Sequence, residues 1–252
     1  MNTKIIARFA LRETMGVFLM GVALFGSAGE IGWLPAWALL GVIVSWIVAT
    51  AVVTLRHSPE LLAERLGPAK DAKRWDTIIM GVYGVMHLAL LVIAGLDHRF
   101  GWTSGIGVMA QIGALVVCCL SYALAVWATA SNAYFSQIVR IQTERGHEVT
   151  TDGPYRFVRH PAYTGTILAS LATPILLASW WALAVGLLAV SLTIPRTILE
   201  DRTLQAELPG YLEYARRVRY RLVPGVWSDW TDNYRWCLQL YRLHRTILPR
   251  PM

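Results

Sequence analysis

Residues 163–199 read YTGTILASLATPILLASWWALAVGLLAVSLTIPRTIL, two apolar runs, Tyr163–Leu177 and Trp180–Leu199, parted only by Ala178 and Ser179. Runs of this kind are suited to a hydrocarbon core ~30 Å thick, and a two-residue break forces them into a tight antiparallel hairpin. Working outward, four more runs stand in the amino-terminal half: Leu11–Ala28, Trp33–Leu55, Thr77–Leu96 and Ile106–Ala130. The first two are separated only by Gly29–Gly32 and form a second hairpin. Six crossings follow. The run from Tyr163 is short and contains Pro174, so it can tilt, kink or stop short, which makes five the alternative. With 252 residues, 55% hydrophobic, 15% charged and a mean hydropathy of +0.45, the chain has too little polar surface to coat a soluble globule. The expected fold is an all-α integral membrane protein with about six transmembrane helices.

Loop charge sets the expected orientation. Lys4, Arg8 and Arg12 precede the first run, Arg56, Arg65, Lys70, Lys73 and Arg74 follow the second, and Arg140, Arg145, Arg156 and Arg159 follow the fourth. The connections near Glu30, around Asp97–Arg99 and at Ala178–Ser179 carry one arginine in total. Both termini are therefore expected on the cytoplasmic side, in a multi-pass protein of a bacterial inner membrane. Trp33, Trp102, Trp180 and Trp181 on one side and Trp75, Trp227 and Trp230 on the other fit aromatic belts. Topology and contact with anionic membrane lipids account for much of the net charge of +7, and no nucleic-acid partner is needed. Ser58-Pro59-Glu60 and Gly67-Pro68 bracket a short surface helix over Pro59–Leu66. The tail Asp229–Leu248 reads either as an interfacial amphipathic helix lying on the bilayer or as a tail packed on the protein's own cytoplasmic face. Cys118, Cys119 and Cys237 have neither metal-ligand nor disulfide-framework spacing, and no metal site is expected.

The chemistry concentrates in Gly153-Pro154-Tyr155-Arg156-Phe157-Val158-Arg159-His160-Pro161-Ala162-Tyr163-Thr164-Gly165. Pro161 suits the first turn of the helix entering the membrane, which places Arg159 and His160 at its amino terminus, where exposed N–H groups favour an anion. Glu200 and Asp201 return from the far end of the hairpin to the same side. One locus thus offers donors for a carboxylate or phosphate, and carboxylates for an ammonium or ribose hydroxyls. Tyr155, Tyr163, Tyr211 and Tyr214 add aromatic surfaces. A nucleotide-like zwitterion suits that set.

The stretch from Ser131-Asn132 to Val226 resembles the isoprenylcysteine carboxyl methyltransferase family, grouped with the phospholipid N-methyltransferases. The pieces, in order, are Gly153-Pro154-Tyr155-Arg156, Arg159-His160-Pro161-Ala162-Tyr163-Thr164-Gly165, Glu200-Asp201-x-x-Leu204, Gly210-Tyr211-x-x-Tyr214 and Val223-Pro224-Gly225. The family pattern carries two glutamates where this chain has Glu200 and Asp201. The resemblance implies an S-adenosylmethionine-dependent enzyme with a cytoplasmic carboxy-terminal cofactor-binding segment. Asn132, Tyr155, His160, Pro161, Tyr163, Gly165, Glu200, Asp201, Tyr211 and Tyr214 would hold the cofactor, and Arg156, Arg159 and His160 would serve catalysis. Residues 131–226 form the catalytic region on this reading, 1–130 an acceptor cavity or scaffold, and 227–252 the tail.

Methyl transfer from a sulfonium depends on positioning and desolvation. A carboxylate acceptor needs only an orienting arginine, for which Arg140, Arg156 and Arg159 are candidates. A thiol or amine must also lose a proton, which brings in His160, His147 or Glu144. The expected acceptor is lipophilic or a small molecule, entering between the amino-terminal helices and the 163–199 hairpin. His87, inside the third run, either lines that route or is a hydrogen-bonded histidine between helices. No strand-bounded Gly-x-Gly-x-x-Gly is present, which excludes a soluble Rossmann methyltransferase. An NADPH-dependent membrane sterol-type reductase is the alternative enzyme, disfavoured by Ala162 and Thr166 where those reductases tend to carry Asn and an acid. A non-catalytic lipid-binding protein is the third reading.

Overall fold

A computed structural model describes residues 3–57, 59–61, 66 and 72–228. The helices are α1 (Thr3–Ala28), α2 (Leu34–His57), α3 (Arg74–Phe100), α4 (Val108–Ser131), α5 (Pro161–Leu176), α6 (Trp180–Glu207) and α7 (Tyr211–Arg217). A two-stranded antiparallel ribbon, β1 (Tyr220–Val223) and β2 (Val226–Ser228), follows α7. The chain is a helical, multi-pass membrane protein. Half of the surface helix expected over Pro59–Leu66, residues 62–65, and all of the tail from Asp229 lie outside the described residues.

Among the described residues five helices, α1, α2, α3, α4 and α6, are long and apolar enough to cross a membrane. Helix α5 has 16 residues, about 24 Å at 1.5 Å per residue, short of the full hydrocarbon thickness. It nevertheless reaches the end of the bundle remote from the site, because buried Asp97 near the end of α3 ties the ends together. Asp97 accepts hydrogen bonds from the Thr103 N–H (2.7 Å), the Thr103 hydroxyl and the Ser179 hydroxyl. Ser179 also caps α6, accepting the Ala182 N–H at 3.0 Å. A short helix anchored at that end leaves its amino terminus, and everything attached to it, recessed into the opposite end.

The six long elements pack in the cyclic order α1–α3–α6–α5–α4–α2, with α2 closing on α1. Large apolar side chains such as Phe18, Val48, Val85, Leu120 and Leu187 remain exposed, as lipid contact demands of helices that are apolar all round. The main core, built around Leu24, Leu39, Leu90, Leu91 and Leu177, lies toward the α3–Ser179 end. At the site end a smaller cluster joins Ala128, Tyr155, Leu208, Tyr211 and Tyr214.

Two boundaries differ from the apolar runs. Helix α1 starts at Thr3, so Lys4 and Arg8 form polar turns before Leu11, and α6 continues to Glu207, about two turns past Leu199. The extension keeps Glu200 and Asp201 on rigid helix. Gly165, expected at the cofactor, is instead where α5 crosses α4. A Cβ there would sit 2.7 Å from the Ser121 carbonyl oxygen, so only glycine permits that approach.

Candidate functional site

Three stretches build the site: the turn 153–160 leading into α5, the last turns of α6, and the segment from α7 to β1. Gly153 adopts φ +57°, and a Cβ there would lie 2.9 Å from Ser131 Cβ and 3.1 Å from Trp127 Nε1. A side chain is thus excluded twice, by backbone conformation and by space. The turn is then laced to β1. The Arg159 N–H donates to the Tyr220 carbonyl (3.0 Å), the His160 N–H to the Arg221 carbonyl (2.9 Å), and the Thr164 hydroxyl to the Leu222 carbonyl (2.6 Å). The Tyr214 hydroxyl donates to the Tyr155 carbonyl at 2.8 Å. The strand pairing was not legible beforehand, although Pro224-Gly225, within a quoted motif, forms its turn, with Gly225 at φ +82°.

Asp201 is the hub. Fully buried, it accepts the Tyr211 hydroxyl at 3.0 Å and faces His160 Nε2 at 3.3 Å through Oδ1. Oδ2 takes Gln205 Nε2 (2.8 Å) and Arg221 Nε (3.3 Å), with Arg159 Nη1 also at 3.3 Å. Two guanidiniums around one carboxylate keep it ionised. The expectation that Asp201 contacts the cofactor meets a different placement: it stands behind the wall of the cavity and fixes His160, Arg159 and Tyr211, which line it.

That cavity measures about 390 Å³. Asn132, Tyr155, Arg159, His160, Pro161, Tyr163, Glu200, Tyr211 and Tyr214 all line it. Asn132 ends α4, accepting the Tyr134 N–H (2.8 Å) and donating to the Tyr155 hydroxyl (3.3 Å). Glu200 accepts the Tyr163 hydroxyl. The Tyr163 ring is held between the parallel His160 imidazole, 5.5 Å between centroids, and the Arg196 guanidinium, 4.9 Å from its centroid. Arg156, expected in catalysis, is exposed and does not line the cavity. It occupies the outward side of the short 3₁₀ turn whose inward residues are Pro154 and Tyr155.

Sequence reasoning missed Arg196 and Asp76. Arg196 pairs with fully buried Asp76 through Nε–Oδ1 (2.7 Å) and Nη2–Oδ2 (3.4 Å), and donates to the Gln137 carbonyl (2.9 Å). Asp76 also accepts the Val139 N–H at 2.8 Å. The pair thereby fixes α3, α6 and the 133–150 loop in one place. An arginine inside the apolar run Trp180–Leu199 was the available signal, since ionisable groups at membrane depth are costly and are kept for a purpose.

Of the other base candidates, Glu144 is exposed, bonded to Arg140 (2.7 Å), and does not line the cavity. His147 lines it, stacked on Tyr134, but its Nδ1 accepts the Gln142 N–H at 3.3 Å. Burial first, then Arg145 and Arg140, push the His147 imidazole down to about 4, so it is neutral with its lone pair engaged. Between that value and the ordinary one near 6.5, the unfolded chain binds more protons, so stability falls as pH drops through this window. Thermal denaturation in detergent between pH 7 and 4.5 is expected to show a decline that His147→Gln makes shallower. An identical decline in the variant would assign it to other groups.

A second cavity of about 250 Å³ lies within the helix ring and shares Trp46, Ala125 and Thr166 with the first. Gly165 and His87 line it. Among the described residues no group of three or more His, Cys, Asp or Glu is gathered to hold a metal ion.

Comparison with known proteins gives the following. Residues 108–206 match the isoprenylcysteine carboxyl methyltransferase (ICMT) family. The chain is similar to the cobalt-zinc-cadmium resistance protein CzcN of Cupriavidus metallidurans, 37% identical over 97 residues, 36% of this chain and 44% of that protein. It is similar to protein-S-isoprenylcysteine O-methyltransferase B of Arabidopsis thaliana, 30% identical over 86 residues, 33% of this chain and 44% of that one. A probable protein-S-isoprenylcysteine O-methyltransferase of Oryza sativa subsp. indica is 27% identical over 142 residues, 53% of this chain and 70% of the relative. The chain thus spans less than half the length of the first two. The solved structure of the eukaryotic intramembrane Ras methyltransferase ICMT aligns with a TM-score of 0.48 at 18% identity, covering 82% of this chain and 74% of that one.

Proposed function

We propose that this chain, whose residues 108–206 belong to the isoprenylcysteine carboxyl methyltransferase family, transfers a methyl group from S-adenosylmethionine to a lipophilic acceptor at the cytoplasmic face of its membrane. The observation that carries the reading is the junction of two compartments. A cavity lined by Glu200, His160, Arg159 and five tyrosines shares part of its wall with an intramembrane cavity, so a charged cofactor and a lipophilic acceptor can meet from different phases. The cytoplasmic assignment rests on the Lys/Arg bias of the loops.

The residues present suit the cofactor. A volume of about 390 Å³ falls in the range of small-molecule sites. Glu200 offers a carboxylate to an ammonium or to ribose hydroxyls, Arg140 and Arg159 line the same wall for a carboxylate, and the aromatic rings provide faces for a purine and a sulfonium. What S-adenosylmethionine supplies when bound is a methyl on a positively charged sulfur, which leaves as a neutral thioether when the carbon–sulfur bond is displaced.

The chain's own contribution is to position and dehydrate the reactants, and to hold a proton where the acceptor must lose one. When neutral, His160 can present Nε2–H to Asp201, 3.3 Å away between Arg159 and Arg221, which leaves the lone pair on Nδ1. No hydrogen bond among the described residues engages that lone pair. A carboxylate-held imidazole of this kind serves as a general base toward a thiol, amine or hydroxyl. For a carboxylate acceptor the same wall offers Arg159 as orienter. Thr166, which stands where the reductase alternative would carry an acid, donates to the Ala162 carbonyl at 3.0 Å, and this supports the methyl-transfer reading. Calorimetric titration of the purified chain with S-adenosylhomocysteine and, separately, with NADPH tests it. Binding of the first alone is expected, and binding of NADPH alone would favour the reductase.

A further inference from the structure

The 250 Å³ cavity inside the helix ring is not a plain hydrocarbon slot. Met20, Ile43 and Leu90 line it, and beside them two polar side chains have no hydrogen-bond partner among the described residues. His87 and Tyr122 both line the cavity, and neither makes a hydrogen bond among the described residues. Their neighbours are satisfied: the Tyr83 and Ser170 hydroxyls bond each other at 2.7 Å, and Cys118 and Thr173 meet at 3.9 Å. Both are half-buried, and polar groups at membrane depth are ordinarily paired, because no lipid tail can accept or donate a hydrogen bond. An open imidazole and an open phenol on the wall of one cavity are therefore an invitation to a ligand that brings its own polar atom.

We propose that this cavity receives the body of the acceptor and selects an amphiphile carrying a hydroxyl or carbonyl part-way along its apolar chain, over an unsubstituted hydrocarbon or prenyl chain. The inference rests on the methyl-transfer reading for the acceptor's role, although the preference itself is a property of the cavity. Trp46 and Tyr122, with ring centroids 5.2 Å apart and planes tilted by 37°, form the neck, since Trp46 also lines the cofactor cavity. Along α5, Thr166 belongs to both cavities and Ser170 to the deeper one. At 1.5 Å per residue, Ser170 is about 15 Å beyond His160. A head at His160 would thus place an atom about ten to twelve carbons away at the level of Ser170, inside the cavity that His87 and Tyr122 line. A chain without such an atom would strip water from both groups and return nothing, a penalty on the order of ten- to a hundredfold in affinity.

The test compares stearic acid with 12-hydroxystearic acid, which differ by that one hydroxyl, as binding probes of the full chain in detergent. Wild type is expected to bind the hydroxy acid at least tenfold more tightly. Tyr122→Phe, which keeps the ring, and His87→Leu are each expected to narrow the difference, and the double variant to erase it, with S-adenosylhomocysteine affinity unchanged. Equal affinity of the two acids for wild type, binding of neither, or a preference that survives the double substitution would overturn the proposal. Absence of S-adenosylhomocysteine binding to wild type, with the lipid preference intact, would instead overturn the methyl-transfer reading.

Discussion

Asp201→Ala is expected to leave little folded protein. The carboxylate has no solvent exposure, and it neutralises Arg159 and Arg221, which are 3% and 8% exposed, while accepting hydrogen bonds from Tyr211 and Gln205. Removing one member of a buried ionic cluster and leaving the others costs about 3–5 kcal/mol, a large part of the ~5–15 kcal/mol that holds a domain together. Because Arg221 and Tyr211 belong to the segment laced onto the 159–164 turn, the loss spreads to the whole carboxy-terminal unit. Thermal denaturation and gel-filtration yield in detergent measure it. Asp201→Asn keeps the shape and some acceptor capacity and should be milder. A wild-type melting temperature for Asp201→Ala would show that the cluster contributes no net stability.

Its neighbour Glu200 should behave in the opposite way. It faces the cavity and, among the described residues, holds only the Tyr163 hydroxyl, outside the arginine cluster. Glu200→Ala is therefore expected to fold normally and to bind S-adenosylhomocysteine about ten- to a hundredfold more weakly, the equivalent of a charge-assisted hydrogen bond worth ~1.5–3 kcal/mol. Two adjacent carboxylates on one helix thus separate by direction, one toward the cavity and one toward the scaffold. Comparing melting curves and titrations of the two variants checks both halves, and wild-type affinity in Glu200→Ala would remove Glu200 from the binding site.

How much of this was legible follows from what kind of signal each part sends. Membrane helices announce themselves by composition, so all six apolar runs became helices, and the hairpin turns at Gly29–Gly32 and Ala178–Ser179 lie where two-to-four-residue breaks demanded them. His160 as the residue before α5, with Pro161 in its first turn, was fixed by proline stereochemistry and sits as expected. Direction is harder. Arg156 and Arg159 are three residues apart in one motif, yet one is exposed and the other is 3% exposed, because a 3₁₀ turn and a strand pairing intervene. Nothing in residue types distinguishes Glu200 from Asp201. The Asp76–Arg196 pair joins positions 120 apart, and a contact of that separation is set by which helices become neighbours. Gly165 has a helix-packing role that small residues between membrane helices commonly fill.

The central claim is that a polar cofactor site and a lipid site meet within one helix ring. The most direct measurement incubates the membrane-reconstituted chain with S-adenosylmethionine carrying a labelled methyl group and a total lipid extract, then counts label in the organic phase. Wild type is expected to move label into lipid, and Glu200→Ala, folded but defective at the polar cavity, to move at least tenfold less. Label that stays wholly in the aqueous phase with wild type, while S-adenosylhomocysteine binds, would contradict the account, since it would show a cofactor site with no lipid acceptor beside it.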